Sequence, residues 1–139
     1  HETLRLYPPG VISARRVMRD LRFDRHRIPA GRMLVFSAYV THRIPEIWPE
    51  PTEFRPQRWD SSAPEYRKPA PHEFIPFSGG LHRCIGAVMA ITEMTVMLAR
   101  LVARTELRLP AQRIRAGNFA SLSPQPGLTV DVRESVPAQ

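Results

Sequence analysis

The sequence holds one cysteine, Cys84, and one lysine, Lys68, among 139 residues. A single cysteine excludes an internal disulfide framework and suits a reducing compartment. It also excludes a zinc site built on several thiolates, and five dispersed histidines supply no ligand pair at metal spacing. No apolar run approaches the roughly 20 residues that cross a bilayer, so no membrane span is expected. The first residues, His1-Glu2-Thr3-Leu4-Arg5, have neither the basic n-region nor the apolar h-region of a signal peptide. They read instead as a helix already under way, and the chain is expected to be a piece whose true start lies upstream.

What is present is arginine, proline and a globular share of apolar residues. The formal charge is +7, and 19 of the 20 basic residues are Arg. Such a balance admits nucleic acid, an anionic membrane or an acidic protein as partner. The densest stretch, Arg15 to Arg32, is interleaved with Asp20, Asp24 and apolar residues. It lacks the aromatic interleaving of a single-stranded nucleic-acid platform, so no nucleic acid is expected. Hydrophobic residues make up 42%, enough for one domain with a modest core. Proline occurs 15 times, mostly between Pro45 and Pro76 and after Pro110, which predicts turns and loops there.

Along the chain, a helix is expected over about 1–7, stopped by Pro8-Pro9-Gly10 because proline lacks the N–H and restricts its predecessor. Strands and a small hairpin around Asp24-Arg25-His26 are expected over about 11–36, and one or two helical turns over 38–43. Residues about 45–76 read as a long irregular loop pinned by Trp48, Phe54, Trp59, Tyr66 and Phe74. A glycine-bearing loop covers 77–86. The strongest helix spans about 84–103, with apolar residues on more than one face, and is expected to be buried on most sides. Short strands are expected over about 106–132: residues 106–109, Ile114 and 128–132, with Pro124-Gln125-Pro126-Gly127 joining the last two.

The most informative stretch is Phe77-Ser78-Gly79-Gly80-Leu81-His82-Arg83-Cys84-Ile85-Gly86. Cys84 is expected where a loop becomes a helix, and unpaired N–H groups and the helix dipole favour a thiolate there. Gly80 and Gly86 remove side chains on either side, so a large flat ligand can approach the backbone. Phe77 can shield the sulfur, and His82 and Arg83 supply donors. A shielded thiolate approached by a broad ligand suggests an axial ligand to haem iron. Two other readings exist. A lone Cys at a helix start is usually a small buried hydrophobe. A Cys84–His82 nucleophile pair lacks an orienting acid, and two residues' separation is not its usual geometry.

This stretch resembles the haem-binding signature of the cytochrome P-450 superfamily, the haem-thiolate monooxygenases: Phe, two residues, Gly, one residue, Arg or His, one residue, Cys, one residue, Gly. Phe77, Gly80, His82, Cys84 and Gly86 fill every place. Glu2 and Arg5 match the Glu-x-x-Arg of the family's K helix. Phe54-Arg55-Pro56-Gln57-Arg58-Trp59 matches the later segment whose Arg, here Arg58, completes a Glu–Arg–Arg network. Gln57 and Trp59 are mild variations, standing where Glu and Phe are frequent. Alone, the Glu2/Arg5 pair would be an ordinary solvated helix pair; three motifs in family order across nearly the whole chain are specific.

The resemblance implies the following. The fold is mainly α with small β-sheets, an α+β segment from the K helix onward that forms the C-terminal portion of one cytochrome P-450 domain. The cofactor is haem b, iron protoporphyrin IX. Cys84 is the axial thiolate, Phe77 packs near it, and His82 and Arg15 meet haem propionates, with Arg16 a neighbouring competitor to Arg15. Gly80 and Gly86 complete the cofactor loop. Glu2, Arg5 and Arg58 are structural support. Gly10, Val11 and Ile12 line the substrate, as do Phe119, Ala120 and Ser121. The parent protein inserts one oxygen atom into a small organic substrate, with electrons from a ferredoxin, a flavodoxin or a flavoprotein reductase, and is cytoplasmic, of the soluble bacterial type. The long distal helix that delivers protons to bound oxygen is absent from these residues. Two rival readings follow: a non-catalytic or non-folding haem-binding remnant lacking the distal half, and a basic interaction module without haem.

Overall fold

Pro8 ends the first element where the chain chemistry requires it. Helix α1 covers Glu2–Leu6, and Tyr7 leaves helical geometry with φ −128° and ψ 67°, as expected of a residue before proline. Glu2 lies in its first turn and Arg5 in its last, each favourable toward the helix dipole. Both are buried, with Leu6. The computed structural model describes residues 1–117 and 121–134.

These residues form two compact units, one of 1–79 with 121–122, the other of 80–117 with 123–134. In the first unit, strand β1 (Ser13–Arg16) pairs antiparallel with β4 (Met33–Phe36), setting Ser13 opposite Phe36 and Arg16 opposite Met33. Between them, β2 (Leu21–Phe23) and β3 (His26–Ile28) make the hairpin expected from Asp24-Arg25-His26. Asp24 takes a positive φ of 52° at its turn, which Asp tolerates. Asp20 braces this ribbon, accepting from the Arg27 guanidinium at 2.5 Å and the Ala30 N–H at 3.0 Å. Helix α2 (Ala38–Thr41) is one turn long and is capped by Ser37, whose Oγ accepts from the Val40 N–H and donates to the Val11 carbonyl.

From His42 to Gly79 the only regular piece is a 3₁₀ turn, Pro56–Trp59. Aromatic contacts hold this stretch: Trp59 and Phe74 ring centroids lie 4.6 Å apart, Trp48 and Trp59 5.7 Å apart. Trp48 is buried in the unit's core, with Leu6, Val11, Val17 and Ala38. Phe54 and Tyr66, expected to help pin the loop, are exposed.

The second unit is built on helix α3 (Ala87–Arg104), 18 residues long. It starts three residues after Cys84, not at it. Its burial also differs from expectation. Val88, Met89, Val96, Met97, Leu98 and Val102 are all exposed, because no apolar layer among the described residues lies over them. Strand β5 (Thr105–Arg108) follows directly and pairs with β8 (Asp131–Glu134), while β6 (Arg115–Gly117) pairs with β7 (Ser123–Gln125). The short strands expected at 106–109, Ile114 and 128–132 become four strands in two ribbons, and Pro124 and Gln125 belong to a strand rather than a connection. The Gln112 side chain grips the Thr129 backbone through both its amide groups, supplying the hydrogen bonds a ladder would otherwise make.

Candidate functional site

Two sites emerge from the motifs, one in each unit. In the first, Arg5 meets Glu2 through a fork: Nε donates to Oε2 at 2.9 Å and Nη2 to Oε1 at 2.8 Å. Such paired, charge-assisted bonds are the strong geometry for a buried guanidinium. The remaining Arg5 donors reach the carbonyls of His42, Pro51 and Glu53 at 2.8, 2.7 and 2.9 Å. One arginine thus ties α1 to both ends of a loop segment. Glu2 is equally satisfied, accepting from the Arg55 N–H and the Trp59 indole Nε1–H. Burial alone would raise its pKa; the hydrogen bonds from Arg5, Arg55 and Trp59 overcome this and hold it below the ordinary carboxylate value.

Arg58 joins the same cluster more loosely than Arg5 does. Its Nε comes to 3.5 Å from Glu2 Oε1, a charge contact without hydrogen-bond geometry. Its Nη2 donates to the Pro49 and Glu50 carbonyls at 2.5 and 2.9 Å. Burial and then the Arg5 charge pull the Arg58 pKa down, against the opposing pull of Glu2. The bidentate partner of Glu2 is Arg5 alone, and the Trp59 indole occupies the second face.

His42 is the residue that sequence reasoning missed. Its ring is fully buried. Nδ1 lies 3.1 Å from the Arg5 carbonyl, and the Ile75 N–H donates to Nε2 at 2.9 Å. A carbonyl needs a donor and an N–H needs an acceptor, so these partners fix the neutral Nδ1–H tautomer. Burial, reinforced by the Arg5 and Arg43 charges, lowers its pKa from 6.5 to about 4. The only sequence signal was a histidine at the end of the helical turns expected over 38–43, just before the aromatic-rich loop.

In the second unit, a 3₁₀ turn, Gly80–His82, leads toward α3. Gly80 has φ +61°, a left-handed backbone that disfavours other residues. The Arg83 N–H donates to the Gly80 carbonyl, and the Ala87 N–H to that of Cys84, so the turn and the helix start bracket the cysteine. Cys84 is a free, exposed thiol. Ile85, next to it in sequence, and Leu81, three residues before it, are fully exposed, and His82 and Arg83 are exposed too. A Cβ at Gly86 would stand 3.8 Å from Cys84 Sγ, so glycine keeps one side of the sulfur open.

Among the described residues no three His, Cys, Asp or Glu side chains converge to hold a metal ion. Iron held here would have one protein sulfur, and its other donors would have to arrive with a ligand. An exposed thiol flanked by exposed apolar side chains fits a macrocycle that carries its own equatorial nitrogens.

The other motif residues are placed as follows. Phe77 is half-buried. Arg15, half-buried, lies over the Phe36 ring at 5.5 Å, and its neighbour Arg16 is exposed. Of 10–12, Val11 is buried and Ile12 exposed. Ser121 is exposed; Phe119 and Ala120 lie outside the described residues.

Comparison with known proteins accords with these motifs. The cytochrome P450 family model matches residues 1–130, and the chain belongs to the cytochrome P450 family, a family of haem-thiolate monooxygenases. It is 80% identical over 142 residues to cytochrome P450 139 of Mycobacterium tuberculosis and of Mycobacterium bovis, covering 100% of this chain and 33% of those proteins. It is 38% identical over 108 residues to cyclooctat-9-en-7-ol 5-monooxygenase of Streptomyces melanosporofaciens, covering 77% of this chain and 23% of that one. The solved structure of retinoic acid bound cyanobacterial CYP120A1 superimposes with a TM-score of 0.85 at 30% identity, over 96% of this chain and 31% of that one. The chain therefore spans about a third of its relatives' length, in the α+β portion of their fold. No helix among the described residues is long and apolar enough to cross a membrane.

Proposed function

We propose that this chain supplies the proximal haem-binding part of a haem-thiolate monooxygenase, with Cys84 as the axial thiolate to the iron of haem b. The observation that carries the reading is the sole thiol of the chain, exposed between a Gly80-led turn and α3, with Gly86 leaving its flank open. When bound, the haem supplies the site for oxygen activation, with O–O cleavage favoured by thiolate donation.

The chain's own residues then do the following. Cys84 would hold the iron, with its backbone carbonyl anchored by the Ala87 N–H at the start of α3. His82, exposed, donates to a propionate. Phe77 and Arg15 take the shielding and second propionate roles; the motif correspondence is their support. Glu2, Arg5 and Arg58 hold α1 to the irregular segment and touch no reacting atom. Gly10, Val11, Ile12, Phe119, Ala120 and Ser121 are the proposed substrate-lining positions for a small organic substrate. Family resemblance is the support for a cytoplasmic protein that receives electrons from a ferredoxin, a flavodoxin or a flavoprotein reductase, the mycobacterial origin of its 80% identical relatives is the support for the bacterial type, and exposed Arg83 would help to steer an acidic donor.

Haem titration with electron paramagnetic resonance tests the ligand. The account predicts a low-spin ferric signal of thiolate type in the haem-loaded protein, lost in Cys84→Ser. A thiolate signal that survives this substitution would remove Cys84 from the role.

A further inference from the structure

We propose that a cavity of about 220 Å³, lined by Trp48, Arg55, Arg58, Glu65 and Arg67, binds a small oxyanion, either inorganic or a carboxylate. The site lies within the first unit and does not depend on the haem reading. Its first support is an orphaned donor. Trp48 is 3% exposed, and its indole Nε1–H is buried without an acceptor. Every other buried tryptophan or histidine N–H in this neighbourhood is matched: Trp59 Nε1 donates to Glu2, and both His42 nitrogens are bonded. A buried N–H left unmade costs about 1–3 kcal/mol, so an acceptor from outside the chain is the natural occupant.

Charge selects the kind of acceptor. Three guanidiniums and one carboxylate face the cavity. The Glu65 carboxylate stands 3.8 Å from Arg55, too far for a hydrogen bond, and the firm partner of Arg55 is Glu50. Arg67 is paired with Glu73. Arg58 is the least compensated: among the described residues its one acid is Glu2, at 3.5 Å, which already serves Arg5. Its Nε is buried without a hydrogen bond. Burial and crowding by Arg5 and Arg55 lower the Arg58 pKa, a cost that an anion beside it would relieve. Arg58 Nη2 is already given to the Pro49 and Glu50 carbonyls, but the orphaned Arg58 Nε and the orphaned Trp48 indole N–H belong to residues lining one cavity, a pairing that suits an oxyanion with several acceptor oxygens.

The test is a titration of the whole ¹⁵N-labelled protein, read at the indole N–H signals, with sulfate, phosphate, acetate and chloride at matched ionic strength. Trp48→Phe assigns the signal. The proposal predicts a saturable shift at Trp48 and none at Trp59, with sulfate and phosphate binding tighter if the natural ligand is inorganic, and acetate tighter if it is a carboxylate. Glu65→Gln should tighten the midpoint about threefold, and Arg67→Ala should weaken it by a similar factor, as for one partly exposed charge. The unshifted Trp59 signal, bonded to Glu2, reports that a variant is folded. Equal, non-saturating shifts with all salts would overturn the proposal. So would a Trp48 indole that contacts a bound water no anion displaces.

Discussion

Glu2 and Arg5 form the ion pair on which the first unit turns, since each is buried and each is fully bonded. Removing one partner leaves the other buried and uncompensated, a change that typically costs about 3–5 kcal/mol. Glu2→Gln should therefore lower the urea midpoint sharply, and Arg5→Lys should not rescue it, because an ammonium cannot reproduce five directed donors. Arg58→Ala should cost clearly less, since Arg58 meets Glu2 without a hydrogen bond. A larger loss for Arg58→Ala than for Glu2→Gln would contradict the assignment. His42 makes the same unit sensitive to pH. Unfolded, it takes a proton near its ordinary 6.5; folded, only near 4. Between those values the unfolded chain binds more protons, so stability is full above 6.5 and falls as pH drops toward 4. The loss is about 3 kcal/mol. His42→Phe starts less stable, with the Ile75 N–H and the Arg5 carbonyl unpaired, but its stability should change little over that window. An equally steep fall in His42→Phe would assign the effect elsewhere. The pair Glu2–Arg5 was legible from the motif; His42 was not, because its role depends on burial among Trp48 and Phe74, which no local pattern encodes.

Among the elements, α2 and α3 show what local sequence does and does not decide. Ser37 caps α2 and bonds back to Val11. Ser37→Ala should destabilise the protein by about 1 kcal/mol with an unchanged denaturant slope; an unchanged midpoint would mean that the cap is not needed. The hairpin β2–β3 and the stop after α1 followed from Asp24 and from Pro8, residues whose backbone preferences are local. The pairings β5–β8 and β6–β7 did not. They join segments with about equal claims to be strands, and proline in β7 disguised it as a connection. Helix α3 was legible in length, yet its start lies at Ala87 because Cys84, Ile85 and Gly86 are spent on the turn that presents the sulfur. Its pattern predicted burial, and the pattern describes a surface to be covered, not the cover. With Met89, Met97, Leu98 and Val102 exposed, this chain alone should self-associate, as contiguous apolar patches do. Sedimentation should show concentration-dependent association that weakens in Met97→Lys/Leu101→Lys; a monomer at all concentrations would count against it.

The molecule as a whole has a buried polar network in one unit and an exposed cysteine loop in the other, and the family match covers both. Family membership was legible because its motifs are strings of neighbours, Phe77 to Gly86 and Phe54 to Trp59, whose spacing survives without knowledge of the fold. Burial was less legible than family, since Val11 is buried while Ile12 beside it is exposed, and spacing cannot tell them apart. The basic surface should matter for electron delivery: Arg83→Glu should slow reduction by an acidic donor and weaken the salt dependence of that rate. An unchanged rate and salt dependence would remove Arg83 from the docking surface. The central claim is that Cys84 presents a thiolate to haem iron, and the most direct test is the reduced, carbon monoxide difference spectrum of the haem-loaded protein. The account predicts a long-wavelength Soret band that disappears in Cys84→Ser while haem remains bound. A short-wavelength band in the unsubstituted protein, or a long-wavelength band that persists in Cys84→Ser, would contradict it.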